Sequence, residues 1–194
     1  MIVKFKNNVI YDIYEFINMN NIEKIYLDID GVIFHSCQAV CDILNEMQGT
    51  GYKGSDVISW NFREICSDLS NRDIEKIFGS GVFFKYVKMI DGIGEFLNEY
   101  QDKIILVTKG TAENIFFKYK YFQSLGFNIP ICGLPFDISK GTINMSDGLF
   151  IDDSTNNLIE SNAKYKIQFL EYNDHMNDKR EWTKDWHGFK MYHW

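Results

Sequence analysis

Proline is scarce in this chain, 2 residues in 194 against 14 glycines, so stiff proline-rich linkers between domains are not expected. Arginine is scarce too. Of 20 basic residues only Arg63, Arg72 and Arg180 are arginine, so any recognition of phosphate has to lean on lysine, backbone amides, hydroxyls or metal. Positive charge is in deficit overall: 27 acids against 20 bases give a net charge of −7 and a pI near 5.1. That balance excludes the basic face on which duplex nucleic acid or an anionic membrane binds. No apolar run is long enough to span a bilayer. The first residues, Met-Ile-Val-Lys-Phe-Lys-Asn-Asn, carry charge inside their apolar stretch, so a signal peptide is not expected. Four cysteines (Cys37, Cys41, Cys66, Cys132) form no CxxC pair and have no histidine at zinc spacing. They read as reduced core thiols of a cytoplasmic protein. His175, His187 and His193 show no i,i+3 or i,i+4 pairing that would hold a metal.

What is abundant is apolar and aromatic. Hydrophobic residues make up 45% of the chain and aromatics 16%, enough for a real core and for a lined pocket. The length fits one compact domain with a small subdomain inserted in it. Ile25 to Ile29 is an apolar run ending in Asp30-Gly31, and reads as a buried strand with carboxylates at its C-terminal end. Lys103 to Thr108 is a second, Ile129 to Leu134 a short third, Leu149 to Asp153 a fourth and Lys166 to Leu170 a fifth. Helices are expected over 10–19, 36–48, 91–100 and 112–125, with short helices in 56–78 and Ser70 or Asn71 as a cap. Apolar strands alternating with helices predict an α/β fold, a Rossmann-like doubly wound parallel sheet. Ligands in such sheets sit at the strand C-termini beside the switch in strand order. Those ends carry Asp28, Asp30, Thr108, Asp152 and Asp153.

Two acidic pairs brought together at neighbouring strand ends repel each other. A hard divalent cation relieves that conflict, and an oxygen-only ligand set favours Mg²⁺. Asp28, Asp30, Asp152 and Asp153 are therefore the candidate metal residues, with Asp152 slightly favoured over Asp153 as the direct ligand. Thr108 and the adjoining Lys109, with the amides of their turn, can hold phosphate oxygens. Lys140, twelve residues before Asp152, adds a cation.

With these residues in view, the sequence resembles the haloacid dehalogenase-like (HAD) superfamily of phosphotransferases. Asp28-Ile29-Asp30-Gly31-Val32 looks like its first motif, Thr108 like its second, Lys140 like its third and Asp152-Asp153 like its fourth. The resemblance implies a phosphatase in which Asp28 is the nucleophile, Asp30 the general acid and base, and Lys140 a catalytic cation that also binds phosphate. Mg²⁺ would then be held by Asp28, the Asp30 backbone carbonyl and the Asp152/Asp153 pair. Spacing places the insertion. The 78 residues from Asp30 to Thr108 leave room for a small helical cap over 36–85, on a core made of 1–35 and 86–194.

Within that superfamily, Ile58-Ser59-Trp60-Asn61-Phe62, the Phe83-Phe84 pair before Met89-Ile90-Asp91-Gly92, and Tyr172-Asn173 followed by Trp186 look like the 5'(3')-deoxyribonucleotidases. That likeness implies a nucleoside monophosphate as substrate and an aromatic pocket of Phe34, Trp60, Phe62, Phe83 and Phe84 around its base. A small phosphosugar, a phosphomutase reaction, or a non-catalytic HAD-like binding domain are the competing readings. Neither duplex nucleic acid nor membrane is an expected partner; a homodimer is admitted.

Overall fold

The computed structural model describes residues 3–4, 10–172, 180–183 and 188–194. The first motif region is preceded by a short pair of strands, β1 (Val3–Lys4) and β2 (Ile10–Tyr11), and by helix α1 (Ile13–Met19). Strand β3 (Ile25–Leu27) is buried along its whole length. Helix α2 (Ser36–Gln48) follows and stops at Gly49, whose φ of 68° is the left-handed conformation that glycine adopts without penalty. After a loop come α3 (Asn71–Gly79), opened by a Ser70–Asp73 capping box, and the single turn α4 (Phe83–Tyr86). The stretch between 57 and 70 is turn rather than the short helices its composition suggests. Its backbone groups bond locally, as in Phe62 N–H to Ser59 O and Cys66 N–H to Phe62 O.

The remainder alternates: α5 (Ile93–Tyr100), β4 (Ile104–Lys109), α6 (Ala112–Ser124), β5 (Ile131–Leu134), β6 (Leu149–Asp152), α7 (Thr155–Glu160), β7 (Tyr165–Phe169) and β8 (Phe189–Met191). The sheet runs β2-β1-β8-β7-β6-β3-β4-β5. Its six strands from β8 to β5 are parallel, and β1 and β2 continue it antiparallel at one edge. The five strands expected from hydropathy are all present. The three extra strands are two or three residues long, too short for a pattern to declare them.

The main core takes in Trp194. Trp194 packs on Phe96 and Phe169, and its indole N–H donates to the Val32 carbonyl at 2.7 Å. The chain steps from β3 to β4 and β5 on one side, then crosses back to β6 on the other. The crevice of an open α/β sheet forms at such a reversal. Here it lies beside β3, just beyond Leu27. Among the described residues no helix is long and apolar enough to cross a membrane. Asn173, His175, Trp186 and His187 lie outside the described residues.

Candidate active site

Asp28 follows β3 directly, and its backbone N–H donates to Ile151 O of β6 at 3.0 Å, so strand pairing fixes where its side chain starts. The chain then turns sharply. Gly31 sits at φ +75°, and a Cβ there would stand 2.5 Å from Asp153 Oδ2, so only glycine lets the first turn pass this close to the second acidic pair. Asp152 ends β6, Asp153 follows it, and Ser154 caps α7.

Asp28, Asp152 and Asp153 are all buried, and one carboxylate oxygen from each lies within 4.8 Å of the other two. Lys140, delivered by a short 3₁₀ turn and itself buried, is 2.7 Å from Asp28 Oδ1 and 2.7 Å from Asp152 Oδ2. Asp152 is further engaged by the Ser154 N–H at 2.8 Å and by Asn157 Nδ2 at 3.0 and 3.2 Å. Asp153 Oδ2 accepts from the Trp182 indole at 2.6 Å.

Burial pushes the Asp28 carboxyl up to about 7. Lys140 opposes the shift, while Asp152 and Asp30 add to it. Burial, then Asp152 and Asp28, raise Asp153 well above the ordinary carboxylate range against Arg180 and Lys140. Burial works against the Lys140 charge, yet Asp152 and Asp28 more than offset it and hold the ammonium charged. Three crowded carboxylates with one shared ammonium form an all-oxygen donor set short of positive charge. That set fits a hard divalent cation.

A cavity of about 730 Å³ opens over these groups. Asp28, Asp30, Lys109, Lys140 and Asp153 reach it; Asp152 does not, its oxygens being turned to Lys140, Ser154 and Asn157. Of the Asp152–Asp153 pair, Asp153 is the member that lines the opening. The Asp30 carboxylate has partners of its own outside the triad. Its Oδ1 accepts from Ser36 Oγ at 2.7 Å and its Oδ2 from the Lys118 ammonium.

Thr108 is fully buried and does not line the cavity. Its hydroxyl accepts from Lys118 Nζ at 2.6 Å. Lys109, the next residue, does line it.

Of the five aromatics expected around a substrate, only Trp60 lines the cavity. Phe34, Phe62 and Phe83 are completely buried, and all four remaining rings pack against other aromatics. Phe34 stacks on Phe122 at 5.4 Å, Phe62 and Phe83 meet Phe78, and Phe84 stacks on Phe117 at 5.7 Å. The apolar wall consists instead of Trp60, Ile74, Phe78, Phe136 and Trp182. Trp182 went unnoticed in the sequence because it lies far from every motif. Here its ring packs on Trp60, centroids 4.7 Å apart, while its N–H holds Asp153.

No protein-family model and no curated protein matches the chain by sequence. Solved structures do match it by fold. One is a HAD family hydrolase from Deinococcus radiodurans, solved with bound phosphate and sodium: TM-score 0.52, 10% identity, covering 78% of this chain and 82% of that one. The chain has the HAD-like fold. A haloacid dehalogenase-like family hydrolase from Streptococcus pneumoniae aligns with TM-score 0.49 and 14% identity over 84% of this chain and 93% of its own. A predicted phosphoglycolate phosphatase from Haemophilus somnus aligns with TM-score 0.48 and 16% identity over 78% and 86%. In this HAD-like fold the acidic triad stands at the C-terminal ends of two adjacent parallel strands, β3 and β6.

Proposed function

We propose that this protein is a Mg²⁺-dependent phosphomonoester hydrolase that works through an aspartyl-phosphate on Asp28. The observation that carries the reading is the cavity floor: Asp28 beside Lys140 at 2.7 Å, with Asp153 facing the same opening. In the first step an Asp28 oxygen attacks phosphorus and the bond to the leaving oxygen breaks. Asp30, at the cavity edge, gives its proton to that leaving oxygen. It then takes a proton from the water that attacks the phosphorus of the aspartyl-phosphate, which frees phosphate and restores Asp28. Lys140 keeps Asp28 in its anionic, attacking form against the effect of burial. Mg²⁺ would be held by Asp28, Asp153 and the Asp30 backbone carbonyl, and when bound would supply positive charge for the phosphoryl oxygens. Lys109 is the second cation that the phosphate meets.

Residues 36–85 act in this reading as a cap on the core formed by 1–35 and 86–194. They supply Ser59, Trp60, Asn61, Asn71, Ile74, Glu75 and Phe78 to the cavity wall. Asn114 of α6 ties this segment down through a 2.6 Å bond to the Phe78 carbonyl.

The substrate we favour is a nucleoside monophosphate. A flat base fits against the exposed part of Trp60 and beside Phe136, and stacking of this kind tolerates different bases. Glu75, Glu160 and Glu181 around the opening repel a second phosphate, so di- and triphosphates are poor substrates. A phosphosugar is the second reading, favoured by the hydrogen-bonding rim of Ser59, Asn61, Asn71 and Asn156.

A hydrolysis panel of deoxynucleoside, ribonucleoside and sugar monophosphates separates the two. Nucleotides are expected to lead, and Trp60→Ala to raise KM for them by about tenfold, the equivalent of ~1.4 kcal/mol, with sugar phosphates little changed. Sugar phosphates leading by tenfold in kcat/KM would decide for the second reading.

A further inference from the structure

Helix α6 buries an unusual stripe. Asn114, Lys118 and Phe122, each four residues from the next, are its inward-facing residues, while Phe116 and Tyr119 point to solvent. Lys118 has no exposed surface at all. An ammonium in the interior is costly unless it is paired, and replacing a buried ion pair by apolar side chains is often neutral or stabilising. Stability alone therefore gives no reason for a lysine here.

Its two partners supply one. Lys118 Nζ donates to Asp30 Oδ2 and, at 2.6 Å, to Thr108 Oγ1. The other Asp30 oxygen accepts from Ser36 Oγ at 2.7 Å, from the first turn of α2. Asp30 is thus gripped from two sides, by α2 where the chain leaves the core and by α6 where it has returned. Its carboxylate still keeps 18% of its side-chain surface open and lines the cavity. A carboxylate on a loop with neither grip has several rotamers; one held at both oxygens has its orientation set before substrate arrives.

We infer that Lys118 is a positioning residue for Asp30, fixing that carboxylate towards the leaving oxygen of the substrate and joining it to Thr108. The inference rests on the phosphatase reading, and it adds to it a residue that touches neither substrate nor metal. Lys118 acts only through Asp30, so its effect follows the demand for proton donation. An alkyl phosphate loses a strongly basic alkoxide and depends on the proton from Asp30. A p-nitrophenyl phosphate loses a stable phenolate and depends on it little.

The test compares kcat/KM for p-nitrophenyl phosphate and for a simple alkyl phosphate in wild type, Lys118→Met, Asp30→Asn and the double variant, with Mg²⁺ present. Lys118→Met is expected to lose at least tenfold more on the alkyl than on the aryl ester. Lys118→Gln, which keeps a donor for Asp30 and Thr108, recovers part of that loss and provides the same readout where the Met variant fails to fold. In the Asp30→Asn background, Lys118→Met should add almost nothing. Equal losses on both esters, or full wild-type rates in Lys118→Met, would overturn the positioning role while leaving the phosphatase intact. A wild-type protein inactive on both esters would instead refute the phosphatase reading, and the inference with it.

Discussion

Asp28→Asn is expected to abolish phosphomonoester hydrolysis, with a loss on the order of 10⁴-fold or more, while leaving the protein folded. The two halves of this expectation have one origin. Asp28 is a buried carboxylate crowded by Asp152 and Asp30, and burial pushes its carboxyl up to about 7. An isosteric amide removes a charge that the interior disfavours, and Lys140 keeps its bond to Asp152. Thermal stability in the presence of a chelator should therefore hold or rise, whereas an amide cannot accept the phosphoryl group. A group that stabilises little and yet cannot be replaced marks function rather than structure. Near wild-type turnover in this variant, measured on p-nitrophenyl phosphate, would assign the nucleophile elsewhere. Asp30→Asn, by contrast, should retain the attack and lose roughly 10²–10⁴-fold, the usual scale of acid and base assistance.

The second large effect concerns the metal and is read without any substrate. Asp28 and Asp153 both have carboxyls raised above the ordinary carboxylate range, by burial first, with their acidic neighbours adding to it and Lys140 opposing it. A carboxyl that binds its proton more tightly in the folded state contributes stability at low pH. That contribution is lost as pH rises from about 4 through about 7. The metal-free protein therefore loses stability over that window through Asp28, and Asp153 acts in the same direction. A divalent cation needs the same groups ionised, so its binding strengthens as pH rises through the same range. Mg²⁺ at about 100 times its Kd adds ~2.7 kcal/mol, which for a chain of this size is roughly 5–10 °C in Tm. The gap in Tm between Mg²⁺ and chelator should be small near pH 5 and widest near pH 8. Trp182→Phe keeps the ring against Trp60 but deletes the bond to Asp153, and should weaken Mg²⁺ binding by about 10–100-fold. A gap that does not depend on pH would contradict the assignment of the triad.

The five longer runs of the parallel sheet and the acidic floor were legible because parallel strands covered on both faces are near-continuous apolar runs, and polar residues at their ends stand out. Leu149-Phe150-Ile151 before Asp152 is the clearest case. Lys118 was not legible, since a lysine inside an aromatic helix reads as solvent-facing. Only the spacing of Asn114, Lys118 and Phe122 hints that this polar stripe is the buried one. Which aromatics line the cavity was only partly legible, for a related reason. Density of rings says that aromatics cluster, but not on which side of the backbone they do so. Phe62, Phe83 and Phe34 turn inward, and the wall passes to Phe78, Phe136 and Trp182. Trp182 carries no local signal at all: its position depends on a short segment between β7 and β8, and on a contact with Trp60 more than a hundred residues away.

Covalent capture tests the central claim most directly. Protein mixed with p-nitrophenyl phosphate and Mg²⁺, quenched in acid during turnover and analysed by peptide mass spectrometry, should carry one acyl-linked phosphoryl group on the peptide that contains Asp28. Asp30→Asn should accumulate more of that species, because breakdown of the aspartyl-phosphate needs the base. Phosphate released with no phosphorylated peptide in either protein, or a phosphoryl group on a different residue, would contradict the account.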